Sequence, residues 1–181
     1  MIKIAIIHYQ FETIHPFNDG NGRTGRLLIT LYLVSTGILK RPVLYLSDYL
    51  ENHRNSYYEM IMKTRTENRI DDWIKFFLQG VIETADKSVN TFEKILELEK
   101  EYEQIVQQMG SRSANVIKLL NVLYENPITD AKKVSNLLDI SLQSAYSLIS
   151  DMEKRNLLYE YTHNKRGKKY MLYKYMQLFM R

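Results

Sequence analysis

The sequence contains no cysteine, and its 181 residues include three prolines, seven glycines and a single tryptophan. Without cysteine there can be no disulfide framework and no thiolate zinc site, which fits a cytoplasmic location. No apolar run approaches the roughly 18 residues that a membrane-spanning helix requires, so no membrane partner is expected. The opening Met1–His8 segment is too short and wrongly flanked for a signal peptide. No Gly-x-x-x-x-Gly-Lys-Ser/Thr phosphate loop occurs anywhere, and His8 and His15 miss the His-x-x-x-His spacing of a zinc site. There is no internal repeat and no low-complexity segment. A hydrophobic content of 45% is enough for a packed core and excludes a disordered chain.

Charge is unevenly spread. Residues 1–111 carry 13 Lys+Arg against 15 Asp+Glu, and residues 112–181 carry 12 against 6. The shift coincides with a change in pattern near Gly110-Ser111, which predicts two domains, 1–110 and 111–181.

The chain reads as mainly α. Ile4, Ile7, Phe11 and Ile14 form one helical stripe over 2–14, and Pro16 ends that helix. Asn18-Asp19-Gly20-Asn21-Gly22 is a turn by composition. A helix then runs from Arg23 through Val34 to a stop at Gly37. Ser47 is a good N-cap for a helix from Asp48 to about Thr66, and another starts near Asp71 with Trp73, Phe76, Phe77 and Val81 facing inward. Residues 82–109 form a long helix with two stripes. One is Ile82, Ala85, Val89, Phe92 and Leu96; the other is Ile95, Leu98, Tyr102, Ile105 and Met109. These stripes either pack on the rest of the chain or also pair with a second copy as a homodimer.

After Arg112 the pattern is helix, helix, helix, hairpin. Val116, Leu119, Leu120 and Leu123 mark the first helix, and Thr129 caps the second, which buries Val134, Leu137 and Leu138. The third runs from about Leu142 to Arg155 with Ala145, Leu148, Ile149 and Met152 inside. Strands at Leu157–Thr162 and Lys169–Tyr173 flank a turn in which Gly167 suits positive φ.

The chemistry concentrates in His15-Pro-Phe-Asn-Asp-Gly-Asn-Gly-Arg-Thr-Gly-Arg26. The first N–H groups of a helix lack intrahelical partners, and its dipole favours an anion there. Gly20 and Gly22 let a phosphate approach the main chain. Arg23 and Arg26, three apart, fall on one face of the first turn and suit bidentate contact with phosphate oxygens. One carboxylate, Asp19, together with phosphate oxygens suffices for Mg²⁺. His15 is the candidate base, since an imidazole suits proton removal. Gly20-x-Gly22-x-x-Gly25 also matches the dinucleotide fingerprint. A polar turn precedes it instead of a strand, and no acidic residue lies between Thr24 and Arg41, so a Rossmann reading is set aside.

The stretch resembles the signature of the Fic family, His-Pro-Phe-x-Asp/Glu-Gly-Asn-Gly/Lys-Arg-x-x-Arg. The likeness extends from His8-Tyr-Gln-Phe-Glu-Thr13 before it to Tyr45–Tyr49, Tyr57-Tyr58, Trp73 and Phe77 after it, covering about residues 1–110. The resemblance implies part of a Fic-type helical bundle and a protein adenylyltransferase, with ATP as substrate and Mg²⁺ as cofactor. AMP would pass to a Ser, Thr or Tyr hydroxyl of a target protein. His15 would be the catalytic base and Asp19 the metal ligand. Gly20, Asn21, Gly22, Arg23, Thr24, Gly25 and Arg26 would hold the nucleotide, and Phe17 would anchor the loop as a buried residue. Tyr57 and Tyr58 stand where family members place nucleotide contacts, or else in plain core packing. Related proteins with this signature transfer phosphate or phosphocholine; the Gly20-Asn-Gly22 spelling fits AMP better.

Family cores carry several helices and a target-docking flap before the signature. Only fourteen residues precede it here, so the sequence reads as N-terminally truncated, with transfer impaired by loss of the flap. Ser47-Asp-Tyr-Leu-Glu51-Asn52 matches the family's inhibitory pattern but lies after the signature and is read as a chance match. The C-terminal 70 or so residues resemble a winged helix-turn-helix domain. Its wing, with Lys165, Arg166, Lys168 and Lys169, and its third helix, with Gln143 and Ser144, would either contact DNA or serve packing. An alternative function class follows: a DNA-binding or dimerising regulator that keeps a non-functional Fic remnant.

Overall fold

The computed structural model describes residues 1–162, 164 and 166–180. The protein is mainly α with one small antiparallel sheet, and it divides by internal contacts into Met1–Asn90 and Thr91–Arg181. That division falls inside a long helix, whereas the 110/111 boundary read from charge falls after it. Among the described residues no helix is long and apolar enough to cross a membrane.

The first unit begins with α1 (Ile2–Ile14) and α2 (Asn21–Ser35), which pack together. The α1 span is as the periodicity predicts, but its buried face is not. Ile4, Ala5 and His8 point into the core, Ile7 and Phe11 are half-buried, and Ile14 is 63% exposed. The face turns because the core offers partners to polar atoms: Trp73 Nε1 donates to the Ala5 carbonyl at 2.8 Å, and both nitrogens of His8 are bonded. On α2, likewise, Ile29 and Leu33 are buried while Leu27 and Leu31 are exposed.

The helix predicted over 48–66 is two, α3 (Leu46–Asn52) and α4 (Arg54–Glu67). They break at His53, where both the backbone N–H and Nδ1 engage the Tyr49 carbonyl, at 3.0 and 2.9 Å. Ser47 is not the cap, since the helix begins at Leu46 after Tyr45. Conversely, the helices predicted on either side of residue 82 are one, α5 (Ile70–Gln107). Gly80 does not interrupt it but admits a neighbour: a Cβ there would collide with the Tyr49 ring, whose Cε1 would be 2.6 Å away. Ile4, Ile29, Leu33, Trp73 and Phe77 are the large apolar side chains fully buried in this unit.

Of the two α5 stripes, Ile82, Val89, Phe92 and Leu96 are 54–57% exposed, so this stripe does not pack within the chain as expected. The other serves the core of the second unit: Leu98, Tyr102 and Met109 are buried, Ile95 and Ile105 are half-buried, and Val106, outside the expected stripe, is buried beside them.

In the second unit a short 3-10 turn at Gly110–Arg112 leads to α6 (Ser113–Glu125), β1 (Ile128–Thr129), α7 (Ala131–Leu138) and α8 (Leu142–Lys154). Strands β2 (Tyr159–Glu160) and β3 (Tyr170–Met171) and helix α9 (Tyr173–Gln177) complete it. The sheet order is β1-β3-β2, with Thr129 opposite Tyr170 and Glu160 opposite Tyr170 on the other side. Every expected inward residue of α6 and α8 is buried, whereas Leu137 of α7 is only partly so. Thr129 is committed to β1, so the cap of α7 is the next residue: Asp130 Oδ1 accepts the Lys133 N–H at 2.9 Å. Gly167 has φ +67°, as its place between β2 and β3 demands. The second expected strand is shorter than 169–173 because Tyr173 opens α9.

Candidate functional site

The turn between α1 and α2 is built from its own side chains. The α1 backbone ends at His15, which takes a left-handed conformation (φ +53°) and donates its N–H to the Phe11 carbonyl at 3.0 Å. Such a conformation is uncommon outside glycine, and here it leaves the imidazole exposed at the loop. Asn21, 2% exposed, clamps the loop with its amide: Oδ1 accepts the Phe17 N–H at 2.9 Å, and Nδ2 donates to the Phe17 carbonyl at 2.6 Å. Those two bonds hold the backbone of residue 17. Its ring is 50% exposed and rests on Phe11, so it is not the buried anchor expected.

Helix α2 starts at Asn21, two residues before the expected Arg23. Gly20 precedes it with φ +83°, a conformation only glycine adopts freely. No side chain caps this end, so its first amide donors face outward next to two guanidiniums. A Cβ on Gly22 would lie 3.2 Å from Arg26 Nη1, so that guanidinium rests close against the bare glycine. Arg23 Nη2 meets Asp19 Oδ2 at 3.4 Å, and Asp19 Oδ1 accepts the Gly20 N–H at 2.6 Å. With side chains 77% and 92% exposed, the Arg23–Asp19 pair is weak, and both charges remain available to a ligand.

A hollow of about 430 Å³ lies over this turn. Its near wall is His15, Asn18, Asp19, Gly20, Asn21, Gly22, Arg23 and Arg26. Its far wall is Leu50 and Glu51 from α3 with Arg54, Tyr57 and Tyr58 from α4. The structure thus brings His15, Asp19, the glycine turn, both signature arginines and both tyrosines to one cavity. Thr24 and Gly25 are not in its wall; Gly25 is buried against α1. Among the described residues no three His, Asp or Glu side chains stand close enough to hold a metal by themselves.

Sequence reasoning did not find Asn18, Leu50, Arg54, or a wall position for Glu51. Leu50 and Arg54 carry no local motif, Glu51 lies in a match set aside as chance, and all three reach the site through the α3–α4 break. It also passed over His8, which is fully buried behind the hollow with Nδ1 3.1 Å from the Gly25 carbonyl and Nε2 3.1 Å from the Tyr57 hydroxyl. Burial lowers its pKa from 6.5 to about 4, so the ring is neutral near pH 7. Burial also pushes the Tyr57 phenol up, and raises the Glu12 carboxyl against the opposing pull of His15 and Arg26.

In the second unit, Gln143 and Ser144 are exposed on the first turn of α8, and Ser144 N–H bonds the capping Ser141 hydroxyl at 3.1 Å. Arg166, Lys168 and Lys169 are exposed, and Lys168 Nζ donates to Glu160 Oε2 at 2.8 Å. Lys165 lies outside the described residues.

Residues 1–33 match the Fic/DOC family model. The chain is 35% identical over 82 residues to "Protein adenylyltransferase Fic" of Aedes aegypti, which covers 45% of this chain and 15% of that protein. Its counterpart in Drosophila yakuba is 37% identical over 82 residues, with the same coverage. A "Probable protein adenylyltransferase" of Aquifex aeolicus is 57% identical over 37 residues, 20% of this chain and 12% of that one. The chain therefore spans about 15% of the length of the first of these relatives. The segment that builds the near wall is thus similar to the Fic/DOC family, and the relatives it resembles are named protein adenylyltransferases.

Proposed function

We propose that the first unit binds ATP with Mg²⁺ and supports transfer of AMP to a Ser, Thr or Tyr hydroxyl of a protein. One observation carries this reading: His15, Asp19 and the uncapped start of α2, flanked by Arg23 and Arg26, line a single hollow. The amides at Gly22 and Arg23 and the two guanidiniums would take the polyphosphate. His15 would accept the proton of the target hydroxyl as its oxygen bonds to the α-phosphorus, while the bond to the departing pyrophosphate breaks. Positive charge at the helix start would stabilise the negative charge that develops, which is where such sites gain most. Asp19, exposed and held among the described residues by Gly20 and a weak arginine pair, suits a shared metal. One carboxylate plus phosphate oxygens is a common Mg²⁺ arrangement, and the ion would neutralise phosphate charge.

The test is calorimetric titration of the full chain with ATP and Mg²⁺, with labelling by an α-labelled ATP alongside. Arg26→Ala removes charge-assisted bonds and is expected to weaken binding roughly 10- to 100-fold. His15→Ala should keep most of the affinity and lose the label. Absence of binding by the unaltered chain, or equal binding by Arg26→Ala, refutes the reading.

For the second unit, the order α6, β1, α7, α8 and the β2–β3 pair supports a winged-helix reading, and the exposed Gln143, Arg166 and Lys169 support contact with DNA. The Lys168–Glu160 pair and the bonds that tie Ser144 to the Ser141 cap count against those two as free contacts. Affinity for a duplex that falls steeply with salt, and falls further in Arg166→Ala/Lys169→Ala, is the expected result.

A further inference from the structure

We infer that His8 is a positioning residue of the nucleotide site, fixing where the Tyr57 ring stands and which way its hydroxyl proton points. The inference rests on the nucleotide reading of the hollow. His8 joins three helices. It sits on α1, its Nδ1 lies 3.1 Å from the carbonyl of Gly25 on α2, and its Nε2 lies 3.1 Å from the hydroxyl of Tyr57 on α4. A carbonyl can only accept, so Nδ1 carries the ring proton and donates it. A neutral imidazole has one N–H, so Nε2 accepts and Tyr57 must donate. The phenol proton is thereby committed away from any ligand, and only the lone pairs of that oxygen remain to be offered.

The surroundings leave the ring little freedom. Trp73 stacks on it with centroids 5.9 Å apart and planes 19° from parallel, and Phe77 lies 6.3 Å away. Gly25 keeps α1 close: a Cβ there would collide with Glu12 Oε1 and lie 3.1 Å from Phe11 and 3.2 Å from His8. What His8 holds is part of the site wall. Tyr57 lines the hollow and packs on Tyr58 with centroids 5.2 Å apart, and Arg54 lies over the Tyr58 ring at 5.7 Å. The Gly25 carbonyl belongs to the same helix turn as Arg26. His8 therefore registers the α4 wall against the arginine wall.

A histidine that merely fills the core would contribute to stability and leave nucleotide affinity alone. The two roles separate in a double-mutant cycle on the full chain, with ATP·Mg²⁺ affinity and urea stability measured for each protein. His8→Leu, if folded, should bind ATP about tenfold more weakly, because the Tyr57 hydroxyl and the Gly25 carbonyl lose their partner. His8→Gln supplies a donor and an acceptor and should recover most of that affinity. Tyr57→Phe should weaken binding similarly, and the His8→Leu/Tyr57→Phe pair should be no weaker than the worse single variant, since both remove one link. Should His8→Leu fail to fold, Tyr57→Phe and His8→Gln still decide the matter. Wild-type affinity in Tyr57→Phe, or in a folded His8→Leu, overturns the positioning role while leaving the nucleotide reading intact. No ATP binding by the unaltered chain overturns the nucleotide reading and this inference with it.

Discussion

Acid should destabilise the first unit through His8, and by a calculable amount. In the unfolded chain His8 titrates near 6.5; in the folded protein burial lowers that to about 4. Between these values the unfolded state binds more protons than the folded one, so stability rises with pH across the window. The contribution is fully present above about pH 6.5, shrinks as pH falls, and is gone below about 4. The difference of about 2.5 units corresponds to roughly 3 kcal/mol, a large fraction of the 5–15 kcal/mol typical of a folded domain. Other groups act on or near the ring. The Arg26 charge lowers the His8 pKa further, Tyr57 stays neutral here, and Glu12, raised by burial, works in the opposite sense because folding takes up its proton. The Tyr57 and Glu12 contributions are common to the wild type and His8→Gln, and the Arg26 effect is part of the His8 shift itself, so the difference between the two isolates the imidazole. Urea unfolding followed by Trp73 fluorescence is a direct assay, since the only tryptophan is fully buried and stacked on His8. The wild type should lose about 3 kcal/mol more than His8→Gln between pH 7 and pH 4. Parallel stability curves for the two proteins would refute a neutral, desolvated His8.

Three further outcomes are expected. Gly25→Ala should cost about 1–3 kcal/mol in the same urea assay, because its new methyl meets Glu12, Phe11 and His8 at once and α1 must shift. Asn21→Ala should cost about 1–3 kcal/mol and lower ATP affinity, since the Phe17 N–H and carbonyl lose the amide that holds the loop. Asp130→Ala should lower the stability of the second unit by about 0.5–2 kcal/mol, read by far-ultraviolet circular dichroism, because Lys133 N–H loses its acceptor.

What was legible in the sequence was what depends on near neighbours. The near wall of the hollow lies within residues 15–26, so its glycines, arginines, Asp19 and His15 could be read together before any fold was known. Hydrophobic spacing placed α1 and α8 to within a residue or so and named the buried faces of α6 and α8, because those helices bury ordinary apolar stripes. It misjudged elements where a polar partner decides. The His53 imidazole takes the Tyr49 carbonyl and bends a helix that looks continuous, and Asp130 displaces Thr129 as a cap because β1 claims the threonine. The far wall from Leu50 to Tyr58 depends on that bend, which no spacing rule encodes.

The two histidines of α1 and its end show the limit most clearly. Seven residues apart, His8 and His15 would share one face of a continuous helix. The backbone separates their uses. At His15 the chain turns left-handed before Pro16 and leaves the imidazole exposed at the hollow. At His8 the chain is still helical, and a carbonyl seventeen residues away and a phenol forty-nine residues away supply the partners that let the ring be buried. Burying an imidazole without them would cost several kcal/mol, so the core can hold His8 only because α2 and α4 converge on it. The convergence that makes the histidine tolerable also brings Tyr57 to the arginines. Substitutions that loosen α1 from α2, Gly25→Ala first among them, should therefore weaken stability and nucleotide affinity together, whereas Asp130→Ala should change the stability of the second unit alone.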